Sequence, residues 1–148
     1  MKRVFLTAFM ALFSYVAFAQ SPGYGVYSGW PTYLGLQFQA SNLRLGLGLS
    51  GFGLAGDAGL ILAKNAVPNE AGVPLDWYYG VGVGVGVWTF YNVGGITVFP
   101  HGLLGVEYRF PGVPWAFYGE LNVGVSLGLG ALSGFGPDFA GRVGVIFR

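Results

Sequence analysis

The sequence predicts an all-β fold, a transmembrane antiparallel up-and-down β-barrel of eight strands. Three observations carry that expectation. Apolar residues alternate with small or polar ones at period two along most of the chain, the pattern of strands with two unlike faces. Only 9% of residues are charged, where soluble domains run near ~25%, while 53% are hydrophobic and 28 are glycine. No internal run reaches the ~20 apolar residues of a spanning helix, and in lipid the other way to satisfy the backbone is a closed barrel.

The clearest strand is Trp77-Tyr78-Tyr79-Gly80-Val81-Gly82-Val83-Gly84-Val85-Gly86-Val87-Trp88. Its odd positions after Trp77 are Tyr79 and four valines; its even positions are Tyr78, four glycines and Trp88. Glycine inside a strand costs stability and marks close approach by another group. Four in a row on one face therefore point to bulky neighbours inside the barrel. We expect those neighbours to be arginines, Tyr118 and glutamates.

Residues 1 to 19 read as a secretory signal peptide: Lys2 and Arg3 are the positive start, Val4 to Val16 the apolar core, and Ala17-Phe18-Ala19 the cleavage box. Residues 20 to 148 would then form the barrel. The stretch from Ser21 to Thr32 is weakly patterned and could be a first strand around Tyr24 to Trp30 or a short arm; the even strand number of such barrels favours the strand. Leu34, Leu36, Phe38 and Ala40 share one face of the next strand, and Ser41-Asn42 is a turn signal. Leu43, Leu45, Leu47 and Leu49 alternate with Arg44, Gly46, Gly48 and Ser50. A two-residue turn at Ser50-Gly51 would place Arg44 directly opposite Asp57. Beyond it Leu54, Ala58, Leu60 and Leu62 lie on the apolar face.

Residues 64 to 76, with two prolines, Asn69, Glu70 and Gly72, read as the longest loop. After the glycine–valine strand, Asn92-Val93-Gly94-Gly95 reads as a turn. A strand follows from about Val98 to Arg109, with Leu103, Gly105, Glu107 and Arg109 on one face. Phe110 to Pro114 turns the chain into the longest alternating run, Trp115 to Leu129. A glycine-rich loop ending at Pro137-Asp138 precedes the last strand, where Phe139, Val143, Val145 and Phe147 alternate with Ala140, Arg142, Gly144 and Ile146.

Charge placement decides which face is inside. Arg44, Asp57, Glu107, Arg109, Glu120 and Arg142 all fall on the faces opposite the apolar ones. Arg or Lys turned to lipid at mid-bilayer costs ~2–4 kcal/mol, so these six residues are expected inside as a lumen charge network, three basic and three acidic. Trp30, Tyr33, Trp77 to Tyr79, Trp88 to Tyr91, Tyr108, Phe110, Trp115, Phe117 and Phe139 lie near strand ends, as an aromatic girdle requires. A soluble lipocalin-like barrel would bury the apolar face and expose the polar one, the reverse of this distribution. A fibrous glycine-rich segment would leave balanced inward charges unexplained.

In pattern the chain resembles the small eight-stranded bacterial outer-membrane barrels of the OmpA-transmembrane and OmpX-like type. The most specific piece is Gly105-Val106-Glu107-Tyr108-Arg109-Phe110-Pro111-Gly112-Val113-Pro114, followed by an aromatic strand and a final Gly144-Val145-Ile146-Phe147. It is similar to the closing hairpins of such barrels, although Arg148 follows the terminal phenylalanine that serves there as an assembly signal. The resemblance implies residence in the bacterial outer membrane, with contacts to its lipid and to its assembly machinery. It also implies short turns at the end that holds the termini and long loops at the other. Counting back from the C-terminus puts the 64–76 loop at the end that should be short.

The remaining chemistry is sparse. The chain has no cysteine, which excludes disulfides, thiol catalysis, thiolate metal sites and lipoprotein acylation. Without Lys2 and Arg3, five basic residues face six acidic ones, a balance that does not suggest a nucleic-acid partner. His101, the one histidine, has no serine close in sequence. The glycines repeat at period two with no helix after them, so they form no phosphate loop. Glu70 and Asp76 could contribute to a cation site, but a solvated loop is the better explanation of them. The expectation is a monomeric, non-enzymatic barrel, structural, anchoring or adhesive, without metal or cofactor and with the lumen plugged by its charges. The alternatives are a narrow porin-like channel and, behind it, a lipid-modifying enzyme using His101.

Overall fold

A computed structural model describes residues 22–148, apart from 52, 70, 71, 91, 92 and 132. The expected signal peptide lies outside the described residues. Eight antiparallel strands follow one another around a closed barrel: β1 Gly23–Gly29, β2 Thr32–Ala40, β3 Leu43–Ser50, β4 Gly53–Ala66, β5 Leu75–Phe90, β6 Val93–Arg109, β7 Trp115–Gly130 and β8 Gly134–Phe147. The weakly patterned β1 is a full member and closes the sheet against β8.

The stagger of the closure follows from the pairing. Stepping around the ring from Tyr27 leads through Gly35, Gly48, Ala55, Gly86, Thr97 and Gly128 to Gly134, whereas Tyr27 itself pairs with Gly144, ten residues further along β8. With ~3.3 Å per residue along a strand and ~4.8 Å between strands, this stagger tilts the strands by roughly 40° and sets a backbone radius of about 8 Å. Such an interior has room only for side chains.

Facing follows the alternation. Leu34, Leu36, Leu47, Leu49, Val81, Val83, Val85, Leu104, Leu121 and Val123 are exposed on the outer wall, while Gln37, Arg44, Tyr78, Tyr118, Glu120 and Arg142 are buried inside. The inner rings lie over glycines of neighbouring strands. A Cβ on Gly144 would meet the Tyr118 ring at 2.6 Å, and one on Gly105 or Gly35 would meet Tyr78 or Tyr27. The β5 glycines serve a different neighbour from the one expected. Gly82 makes room for His101, and Gly84 for Trp30 and Pro31, not for the arginines. The β1–β2 turn folds inward at that end, where Trp30 sits edge-on to Phe99 at 4.9 Å.

Several boundaries move, each because pairing with a neighbour overrides local turn chemistry. Lys64 belongs to β4 and Asp76 to β5, leaving a loop of residues 67–74. Val93, Gly94 and Gly95 pair with β5 and β7 rather than turning, and Pro137-Asp138 lies in β8 opposite β7. A bulge between Ile61 and Ala63 shifts the parity of β4, so that Lys64 pairs with inward Tyr78.

The two ends differ. The end without termini has connections of only two or three residues, 30–31, 51–52, 91–92 and 131–133. The end with the termini holds 67–74 and 110–114. This is the reverse of the loop pattern that the family resemblance implies. Exposed aromatics also concentrate at the end with the termini, with Tyr24, Trp77, Tyr79, Phe110, Trp115, Phe117 and Phe147 on the outer wall or its rim. Trp30, Tyr78 and Trp88, expected in that girdle, turn inward: Tyr78 is buried over Gly105, and the Trp88 ring covers Gly95.

The glycine–tyrosine fit sets a stability test. Gly144→Val should destabilise the barrel by about 1–3 kcal/mol, because Tyr118 is held by hydrogen bonds and cannot yield. Gly119→Ala, on the outer wall with open space around its Cβ position, should stay within about 0.5 kcal/mol of the parent in denaturant unfolding.

Candidate functional site

Among the described residues the barrel interior and its mouth gather the charged groups. At its centre are two arginine–carboxylate pairs. Arg44 on β3 donates to Glu120 on β7, across the lumen, and Arg142 on β8 donates to Asp57 on β4. All four side chains are almost completely buried. Isolated charges could not survive there; paired and hydrogen-bonded ones can.

Tyrosines and a glutamine join the two pairs. The Tyr78 hydroxyl donates to Glu120 at 3.0 Å, and the Arg44 guanidinium lies over the Tyr118 ring at 5.1 Å. The Tyr118 hydroxyl accepts from Arg142 Nε at 3.0 Å and donates to Gln37 Oε1 at 2.6 Å. Arg142 lies 3.8 Å over the Tyr27 ring, and the Tyr27 hydroxyl reaches Asp57 at 3.2 Å. Tyr118 therefore touches both arginines, one by its ring and one by its hydroxyl.

A second cluster occupies the end with the termini. Asp76 and Glu107 are directly opposite on β5 and β6, a placement that like charges disfavour. Three cations compensate. Glu107 takes Lys64 at 2.7 Å, Arg148 at 2.8 Å and Arg109 at 3.3 Å; Asp76 takes Arg109 at 2.9 Å and Lys64 at 3.5 Å. A cavity of about 650 Å³ opens here, with Gln39 and Ile61 among its lining residues.

Of the six residues expected inside, Arg44, Asp57, Glu120 and Arg142 form the central network, Glu107 anchors the second cluster, and Arg109 sits half-exposed at the mouth. The expected Arg44–Asp57 partnership is not formed. The β3–β4 turn closes with Ser50 opposite Gly53, so Arg44 faces Gly59 and Asp57 faces Gly46. That two-residue slip keeps every facing intact, so alternation alone could not detect it.

Lys64 and Asp76, expected in the loop, are members of the second cluster. The signal for Asp76 was parity with Tyr78; the signal for Lys64 was hidden by the bulge. Asp76 is taken up by cations of the chain, and Glu70 lies outside the described residues. His101 stands in the middle of β6, not at its entrance. Its Nδ1 meets the Phe99 carbonyl at 2.9 Å, and its ring stacks on Phe99 at 4.7 Å. Those contacts pack the histidine against an aromatic floor and supply no nucleophile.

No protein-family model, curated protein or solved structure matches the chain.

Arg44→Ala should cost about 3–5 kcal/mol in denaturant unfolding, since it strands the Glu120 carboxylate in the interior. Replacing both Arg44 and Glu120 by Met should recover most of that loss. A double variant as unstable as the sum of its singles would show that the pair acts independently of each other.

Proposed function

We propose that the chain is an integral barrel of the bacterial outer membrane, of the OmpA-transmembrane and OmpX-like kind, with a structural or anchoring role and no catalytic one. The observation that carries this reading is the division of charge. Among the described strand residues no Asp, Glu, Lys or Arg faces outward, and exposed Leu, Val, Ile and aromatic side chains dominate the outer wall. In water such a wall would be a large apolar patch of the kind that drives association. Against acyl chains it is the favourable arrangement.

Dimensions agree. Strands β5, β6 and β7 have 16, 17 and 16 residues. Tilted by roughly 40°, strands of that length rise about 40 Å, enough for a hydrocarbon core of ~30 Å and part of both interfaces. The outward Trp and Tyr residues at the end with the termini suit a headgroup boundary.

The interior supports a plugged barrel in preference to a channel. Open aqueous lumens belong to barrels of ~16 strands, whereas this one is crossed by two buried ion pairs joined through Tyr118. Opening a path would separate several pairs together at low dielectric. Outer-membrane lipid and the membrane's assembly machinery are then the chain's partners, and it works as a monomer.

Two measurements test this reading. Val83→Arg places a charge on the outer wall and should abolish assembly into membranes, at a cost of ~2–4 kcal/mol at mid-bilayer. A folded, heat-modifiable Val83→Arg barrel at normal levels would refute the membrane assignment. The purified protein should also give no steady ion current in planar bilayers. Reproducible single-channel steps whose size changes in an Arg142 or Glu120 variant would put the channel first.

A further inference from the structure

We infer that the mouth at the end with the termini is a binding site for a phosphate-class anion, a phosphate ester or free phosphate. The 650 Å³ cavity there is lined by Lys64 from β4, Arg109 at the end of β6 and Arg148 after β8, which converge from three separate strands. Among the described residues two carboxylate side chains answer them, Glu107 and Asp76, so the described side chains of the cluster carry one positive charge in excess.

Hydrogen-bond capacity tells the same story. Two guanidiniums and an ammonium offer roughly thirteen N–H donors, against about eight lone-pair positions on two carboxylates. Arg109, which lines the cavity, keeps a half-exposed side chain, with its Nε on Glu107 and one terminal nitrogen on Asp76, so its other terminal nitrogen has no carboxylate partner among the described residues. Glu107 is held by Lys64 and Arg148 as well, so it does not depend on Arg109.

An independent observation comes from Gln39. It is 7% exposed, lines the cavity, and its amide oxygen has no hydrogen-bond partner. A glutamine amide can be turned over without change of shape. Turned, the same position presents an NH₂ donor to an anion held by Arg109 and Arg148. Ser41, also in the lining, adds a hydroxyl.

The choice of phosphate over carboxylate rests on the approach directions. Cations arriving from three strands suit a tetrahedral group with three or four oxygens, and arginine pairs with phosphate through two parallel N–H bonds. The volume also exceeds that of the bare ion, at ~30 Å³ for each water displaced, so a substituent on the phosphate fits. A lipid headgroup is one source, and this source alone rests on the membrane reading above; free phosphate is the other.

The test titrates inorganic phosphate into the full chain folded in maltoside micelles at constant ionic strength, following the Arg109 and Arg148 Nε–H resonances. Saturable shifts with phosphate that chloride does not reproduce are expected. Arg109→Gln should weaken binding at least fivefold and Arg109→Lys by less, with heat-modifiable migration showing that both variants are folded. Arg148→Gln gives a second reading from the other side of the cavity. Shifts that do not saturate, or that match those of chloride, overturn the site, as does unchanged affinity in both glutamine variants. The source is read in nanodiscs: competition between phosphatidylglycerol and added phosphate identifies a headgroup ligand, and undiminished phosphate binding there identifies the free anion. Because the micelle titration needs no bilayer, it stands even if the barrel is not a membrane protein.

Discussion

A closed sheet of eight strands has one narrow interior, and every inward side chain must share it. The fit of tyrosine against glycine makes that sharing possible. Tyr27, Tyr78 and Tyr118 lie over Gly35, Gly105 and Gly144 of adjacent strands, where any Cβ would collide with the ring. Their hydroxyls are thereby held in the lumen, where they reach Asp57, Glu120, Gln37 and Arg142. Glycine's cost in a strand is offset by the aromatic ring that covers it, a device also used in designed sheets.

From this packing follows the electrostatic arrangement. Arginines buried in so small a space need a carboxylate and aromatic faces to replace their water. Arg44 has Glu120, Tyr78 and Tyr118; Arg142 has Asp57, Tyr27 and Tyr118. Neither pair joins sequential strands. Arg44 and Glu120 bridge β3 and β7, while Arg142 and Asp57 bridge β8 and β4. Each pair ties opposite walls of the barrel together and fills the space between them.

The two ends of the barrel are chemically distinct. At one, Trp30 and Pro31 fold over Gly84, Trp30 sits edge-on to Phe99, and Phe99 stacks on His101. The other is a polar mouth in which three cations surround Glu107 and Asp76. The longer connections lie at the polar end, so long loops and open space occur together there. A molecule with an aromatic end and a charged end has a built-in direction, and any ligand or partner would meet the two differently.

What the sequence by itself determined was the class of fold and the facing of most strand side chains. Period two is a local property of extended backbone, so Val83 outward and Arg142 inward could be read without knowing any partner. What only the tertiary structure decided was who meets whom. Arg44 takes Glu120, not Asp57, because the turn after Ser50 sets a register two residues from the expected one, and a two-residue slip leaves every facing unchanged. Lys64 enters the lumen through a bulge that reverses parity in β4, a break that no alternating pattern announces. Trp30 and Trp88 resemble girdle residues by position but are drawn inward over glycines of other strands. Partnerships across the lumen depend on the ten-residue stagger of the closure, and that quantity exists only once β8 has paired with β1.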